Sequence, residues 1–406
     1  MIRSSVCARY AFEMPSPAWL PLVRGELVDA RAALLDLVER LDVADLETSA
    51  AGFLSPIAWD LAHVALYEEL WLHQRVAGAA PAHRELWPLY DPQEQPREGR
   101  DALPLLDGRA ALDLLAAVRE RTLALVDRLE DGRTNPLLAG GFVFRMVARH
   151  EDQHRETILQ SLALRGENRP LAGFSPDDPD AGPSRTASAG GFVTVEAGLF
   201  ELGDDGTGFS WDNERPRHVV DIPAFMIERT PASAGRYAEF VEDGGYARRE
   251  LWSREGWAWR ARENVALPLG WRRTAQGFAV TRFGHTAPLD EARPVERISC
   301  HEAEAFARWC GGRLPSEAEW EKAARLGVLE QAGVYEWTAS PFAGYPGFEA
   351  FPYREYSEVH FGRGYRVLRG ASWCIGPRVA GTSYRNWDWP HRRQLFAGVR
   401  VARDAA

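Results

Sequence analysis

The sequence predicts an α+β protein of two domains, a four-helix bundle followed by a loop-rich mixed domain. Three observations carry this. Up to about Arg165 the chain is Leu- and Ala-rich, with apolar residues recurring at helical spacing. Residues 166–190 have the Pro, Asp, Ser and Gly content of a linker. From Gly191 onward, short strand-like runs alternate with glycines and with many of the chain's 15 tryptophans, whose large rings suit a domain where regular structure is sparse. At 406 residues the chain is also too long for one hydrophobic core.

In chain order, the periodicity places helices near 18–41, 56–77, 108–130 and 140–164, giving a bundle over 18–165. Pro56 opens the second helix, which reads as amphipathic, with His63 interrupting its apolar face. The connection 78–107 is long and holds Pro92, Pro96, Arg97, Arg100 and Pro104; loops of that length inside compact domains are often functional. The second domain, 191–406, begins with a hairpin pattern over Gly191–Gly203. Its clearest helices are His301–Cys310 and Ser316–Arg325, the latter opened by a capping box of Ser316 and Glu319.

The formal charge of -10 argues against a general nucleic-acid or membrane-surface binder, either of which needs a basic face. No apolar run approaches the roughly 20 residues of a membrane span, and Glu13 and Pro15 stand where a secretory apolar core belongs, so the expected location is the cytoplasm. Cys7, Cys300, Cys310 and Cys374 are widely spaced and form no Cys-x-x-Cys pair; they read as reduced, mostly buried thiols.

The most informative stretch is Arg149-His-Glu-Asp-Gln-His-Arg-Glu156. With about 3.6 residues per turn, His150 and His154 project from nearly the same helix face and can reach one divalent ion. The best candidate for a third ligand is His63. Three neutral imidazoles would hold a metal and leave coordination positions free. The alternatives stand beside this: a His-x-x-x-His pair occurs by chance on many exposed helices, and His63 taken alone reads more readily as a hydrogen-bonded core residue than as a ligand. Glu156 points well away from both histidines and reads as a residue behind the ligands or a surface charge.

Several stretches together resemble known families. Trp211-Asp-Asn-Glu-Arg-Pro216, Gly312-Arg-Leu-Pro-Ser-Glu-Ala-Glu-Trp-Glu-Lys-Ala323, Tyr335-Glu-Trp-Thr338, Val367-Leu-Arg-Gly-Ala-Ser-Trp373 and Phe396-Ala-Gly-Val-Arg400 resemble the formylglycine-generating-enzyme-like fold, related to C-type lectins. The amino-terminal half resembles a DinB-like four-helix bundle. Joined to the histidine motif, to Phe351-Pro-Tyr-Arg-Glu-Tyr356 and to Arg385-Asn-Trp-Asp388, the combination resembles the EgtB-type sulfoxide synthases of ergothioneine biosynthesis over nearly the whole chain from Leu20. That resemblance implies a mononuclear non-haem Fe(II) on His63, His150 and His154, and coupling of hercynine to γ-glutamylcysteine with O2 to give a sulfoxide. It implies that Gln153 bonds the hercynine imidazole and that Asn386 and Trp387 hold the betaine end. Arg97 and Arg100 would grip the thiol substrate's carboxylates and Asp388 its amino group, with Tyr353 the proton donor to the reacting oxygen and Tyr356 behind it.

The chemistry suits these residue types. Arginine presents a planar fork to carboxylates, a quaternary ammonium favours an aromatic face, and a phenol can steer oxygen toward C–S bond formation rather than thiol dioxygenation. The chain departs from the family between Arg325 and Tyr335, where it is much shorter than usual, which puts any structural calcium site in doubt. Tyr335 stands where a tryptophan is more usual, and Gln95-Pro96 replace His-Thr before the arginine pair. Near alternatives within the class are a selenoneine synthase, or an ovothiol-type enzyme taking histidine and cysteine. From another class, lectin-like folds also serve as non-catalytic ligand-binding modules. A formylglycine-generating activity is disfavoured, because it uses a cysteine pair near the carboxyl terminus and only Cys374 lies there.

Overall fold

The computed structural model describes residues 18–129, 135–166, 171, 174, 182–183 and 190–405, so Cys7 and most of the linker composition at 166–190 lie outside the described residues. The helical half contains α1 (Leu20–Val38), α2 (Val43–Glu47), α3 (Ile57–Glu68), α4 (Trp87–Tyr90), α5 (Gly108–Val126) and α6 (Phe142–Arg165). α1 packs on α6, α6 on α3, α3 on α5 and α5 on α1, which closes the four long helices into a bundle. The four expected helices are present. The second continues past Glu68 as a π-helical segment, Glu69–Val76.

α3 is not amphipathic. Every residue from Ile57 to Glu68 is buried. The face expected to meet solvent is covered by the returning connection: Trp59 Nε1 donates to the Leu89 carbonyl at 2.9 Å, and Tyr90, fully buried, closes over His63. Burying polar groups this way requires partners for each of them. Glu68 finds them in a four-charge cluster to which each long helix contributes one residue. Arg31 lies 3.0 Å from Glu68 and 2.5 Å from Glu151, while Arg119 lies 2.8 Å from Glu68 and 2.7 Å from Glu151. Burial opposes the charged form of Glu68, but Arg119 and Arg31 outweigh it and hold the carboxyl below its usual range.

The second domain holds four small sheets. β1 (Phe192–Val195), β4 (Phe225–Glu228) and β12 (Ala402–Asp404) form one; β2 (Gly198–Leu202) and β3 (His218–Ile222) a second; β5 (Trp271–Thr274), β6 (Gly277–Arg282) and β7 (His285–Pro288) a third. The fourth runs in the order β10 (Asn386–Asp388), β9 (Arg366–Gly370), β8 (Tyr335–Pro341), β11 (Ala397–Gly398). The hairpin expected over Gly191–Gly203 does not form: β1 pairs with β4 and β2 with β3, in different sheets. Alternation identified two strands correctly, but non-local partners decided their pairing.

The helices of this domain are α7 (Ala234–Glu242), α8 (Arg254–Arg262), α9 (Cys300–Trp309) and α10 (Glu317–Arg325). Each starts on a serine whose hydroxyl accepts a backbone N–H, and at Ser316 the capping box with Glu319 is complete. Much of the motif content that defines the domain is buried ion pairing, Arg400 with Glu336 at 2.6 Å and Arg369 with Glu321 at 2.5 Å. Cys300, Cys310 and Cys374 are free, and burial pushes their thiols up, Cys310 to about 12.

α6 is the seam between the halves. Arg378 grips Asp152 with two bonds of 2.9 and 2.8 Å, and Arg155 donates to the Cys374 carbonyl. Glu156 is buried, not a surface charge: Tyr335 donates to its Oε2 at 2.9 Å and Ser372 to its Oε1 at 3.0 Å. The tyrosine that departs from the family pattern thus bonds across the domain boundary. Among the described residues no helix is long and apolar enough to cross a membrane.

Candidate metal centre and active site

His63 from the middle of α3 and His150 and His154 from α6 converge where these helices pack. Ring centroids are 5.1 Å apart for His63 and His150, 4.9 Å for His63 and His154, and 4.5 Å for His150 and His154. One nitrogen from each ring lies within 4.8 Å of the others. Donors about 2.1 Å from a shared ion sit roughly 3 Å apart, so the nitrogens need close up by at most about 2 Å to ligate together.

The donor chemistry fits a divalent transition metal. His63 Nδ1 donates to the Tyr90 carbonyl at 2.8 Å and His154 Nδ1 to Asp60 Oδ1 at 3.0 Å, which leaves Nε2 of each ring as the free lone pair. His150 Nδ1 is buried without a hydrogen-bond partner, an orphaned polar atom of the kind a bound cation satisfies. Burial drives the imidazoles of His63 and His150 well below their usual pKa, so both are neutral, the ligating form. Trp59 stacks on His63, rings 4.8 Å apart and 10° from parallel, and Tyr67 stacks on His150 at 3.7 Å and 11°, fixing both ring planes.

The second domain contributes the facing wall. The Tyr353 hydroxyl meets the Tyr67 hydroxyl at 3.0 Å. Gln153 Nε2 donates to the hydroxyls of Tyr356 at 2.8 Å and Tyr384 at 3.1 Å. With both amide protons engaged, the Gln153 carbonyl oxygen is left free to accept. Trp211 stacks on Tyr356 at 4.0 Å, and Trp387 meets Tyr356 edge-on, centroids 5.7 Å apart. The loop bearing Tyr353 is tied at both ends to Asp212, whose carboxylate accepts from Ser357 Oγ at 2.5 Å and from the Phe351 backbone at 3.4 Å.

The remaining expected residues divide. Asn386 and Asp388 accept from the following backbone N–H groups, and Asp388 also accepts from Gln394. Arg97 is exposed and near enough to Asp388 and His360 to act on both electrostatically. Arg100 is buried instead: its guanidinium lies 3.4 Å over Trp59, donates to the Gln95 carbonyl and to Ser55 Oγ, and is lowered by burial to about 10. The two arginines are therefore not an equivalent pair; Arg100 backs the Trp59–His63 stack.

Relatives with this combination are known. The DinB superfamily matches residues 26–158, and the sulfatase-modifying factor enzyme 1-like domain matches 178–333 and 326–405. Hercynine oxygenase of Mycobacterium tuberculosis is 40% identical over 432 residues, covering 93% of this chain and 97% of that one. The chain belongs to the hercynine oxygenase family. The Mycolicibacterium thermoresistibile hercynine oxygenase is 39% identical over 93% of this chain and 94% of its own. A formylglycine-generating enzyme of Streptomyces coelicolor is 35% identical over 173 residues, only 39% of this chain. As a hercynine oxygenase family member the chain is an oxidoreductase, an EgtB-type sulfoxide synthase.

Sequence reasoning missed Asp60, Tyr67 and Tyr384 in this family member. Asp60, His63 and Tyr67 are spaced i, i+3, i+7 and so share one face of α3. That spacing was the available signal, masked because each residue is also ordinary in a core helix. Tyr384 has no local signal, since its partner Gln153 is 231 positions away.

Proposed function

We propose that the chain joins hercynine to γ-glutamylcysteine with O2, using Fe(II) held by His63, His150 and His154. A C–H bond of the imidazole and the thiol S–H are broken, a C–S bond forms, one oxygen atom becomes the sulfoxide and the other leaves as water. The observation that carries this reading is the convergence of three imidazoles, two of them held neutral by burial, beside the free carbonyl of Gln153 and the hydroxyl of Tyr353. When bound, iron supplies open positions and one-electron chemistry for dioxygen and thiolate.

The chain's own residues do the rest. Gln153 accepts the hercynine imidazole N–H while Tyr356 and Tyr384 hold its amide. Trp387, already stacked on Phe342 at 4.1 Å, offers an aromatic face to the trimethylammonium, with Asn386 beside it. Arg97 and Asp388 receive the charged ends of the thiol substrate, and Arg100 contributes from behind. Tyr353, whose phenol burial pushes above its usual pKa, stays protonated and delivers that proton to the reacting oxygen. Localisation in the cytoplasm belongs to this reading, since its substrates are small soluble metabolites.

The test is anaerobic Fe(II) loading followed by oxygen uptake with hercynine plus γ-glutamylcysteine, or plus cysteine, with products read by mass spectrometry. The expected result is the mixed sulfoxide from γ-glutamylcysteine. A preference for cysteine replaces γ-glutamylcysteine as the thiol donor and contradicts that part of the proposal. Oxygen uptake without a coupled product in either case contradicts the proposal.

A further inference from the structure

Tyr67 has no role in the chemistry so far, yet it is held on several sides. It sits on α3 one turn beyond His63, is 5% exposed, and lies flat against His150. Its ring also meets the edge of Tyr353, centroids 6.2 Å apart at 64°, and its hydroxyl oxygen stands 3.0 Å from that of Tyr353. Trp71, one turn further along in the π-helical continuation of α3, lies beside both rings, 5.2 Å from Tyr353 and 6.2 Å from Tyr67. Among the described residues each of these two phenols makes its one side-chain hydrogen bond to the other.

A phenol has a single proton to donate. If Tyr353 spends its proton on Tyr67, none is left to deliver. If Tyr67 donates to Tyr353, the Tyr353 proton is free to turn into the site, and the same bond stabilises the oxygen that remains after the proton leaves. We propose that Tyr67 is a positioning residue for Tyr353: its hydroxyl donates to the Tyr353 oxygen and so sets the direction of proton delivery. The inference rests on the assignment of Tyr353 as proton donor. In the transfer itself the Tyr353 O–H bond breaks, the proton moves to the reacting oxygen, and the Tyr353 oxygen keeps the electron pair while accepting from Tyr67; Tyr67 is unchanged.

The experiment compares wild type, Tyr67→Phe, Tyr353→Phe and the double variant, each loaded with Fe(II). Tyr67→Phe keeps the ring that stacks on His150, so iron content should match wild type. The ratio of mixed sulfoxide to thiol-oxidation product is expected to fall about tenfold in Tyr67→Phe, the size one neutral hydrogen bond carries. Tyr353→Phe should fall further, and the double variant should equal Tyr353→Phe, because Tyr67 acts only through that hydroxyl. In the metal-free protein, the tyrosine C–O stretch in difference infrared spectra of Tyr67→Phe should show loss of an accepted hydrogen bond at Tyr353. An unchanged ratio in Tyr67→Phe beside a diverted Tyr353→Phe overturns the role of Tyr67 alone, as does a further loss in the double variant. A wild type that forms no sulfoxide overturns this inference together with the reading it rests on.

Discussion

Asp60 shows how one carboxylate can prepare a half-buried histidine for the ligand role proposed for it. It is buried on the same face of α3 as His63, and through His154 Nδ1 it fixes the tautomer and plane of a ring on a different helix. Asp60→Ala removes that acceptor while leaving all three imidazoles in place. Competition with a chelator should show Fe(II) affinity falling by about 10- to 100-fold; an affinity equal to wild type would show that packing alone orients His154. At this scale the sequence was partly legible. The four-residue spacing of His150 and His154 and the neighbouring Gln153 are local facts, and helical periodicity reads local facts. The Tyr90 carbonyl, Tyr384 and Tyr67 act across 27, 231 and 286 positions, and no periodicity in one chain encodes such partners.

The elements divide along the same line. The long helices follow from periodicity, and α10 follows from Ser316 and Glu319, whose reciprocal bonds are present. Ser316→Ala removes the acceptor for the Glu319 backbone N–H at 3.1 Å and should lower stability by about 1 kcal/mol, read from urea unfolding; no change would mean water replaces the cap. The strands were recognisable, but their pairing was not. β1 pairs with β4 some 30 residues on and also lies in one sheet with β12 at the carboxyl end, so composition around Gly191–Gly203 could not distinguish a hairpin from two separate edges. α3 escaped its amphipathic reading for a related reason: what buries its second face is the connection through α4, folded back from later in the chain.

The whole molecule is a bundle and a loop-rich domain locked along α6, and the lock is made largely of buried ionisable groups. Buried ionisable groups away from this seam, within the second domain, also tie stability to pH. Burial raises the Glu214 carboxyl to about 7 from an ordinary 4.5, while Ser383 and the Trp211 backbone bond it. The folded state therefore binds more protons than the unfolded state between these values. That contribution is fully present below about pH 4.5 and is lost as pH rises through about 7. Glu214→Gln has no such dependence, so its stability relative to wild type should rise between pH 4.5 and 7, by up to roughly 3 kcal/mol. Urea unfolding at pH 5 and 7.5 reads this, and a pH-independent difference would contradict it. His63 and His150, depressed by burial, pull the other way, favouring the fold as pH rises toward the ordinary imidazole value of 6.5.

All of these scales meet in the three imidazoles. The most direct measurement is Fe(II) bound per chain after anaerobic loading and desalting, in wild type and in His63→Ala, His150→Ala and His154→Ala. One iron per wild-type chain, with its loss in each variant, is the predicted result. Iron retained at the wild-type level in all three variants would place the metal elsewhere and contradict the account.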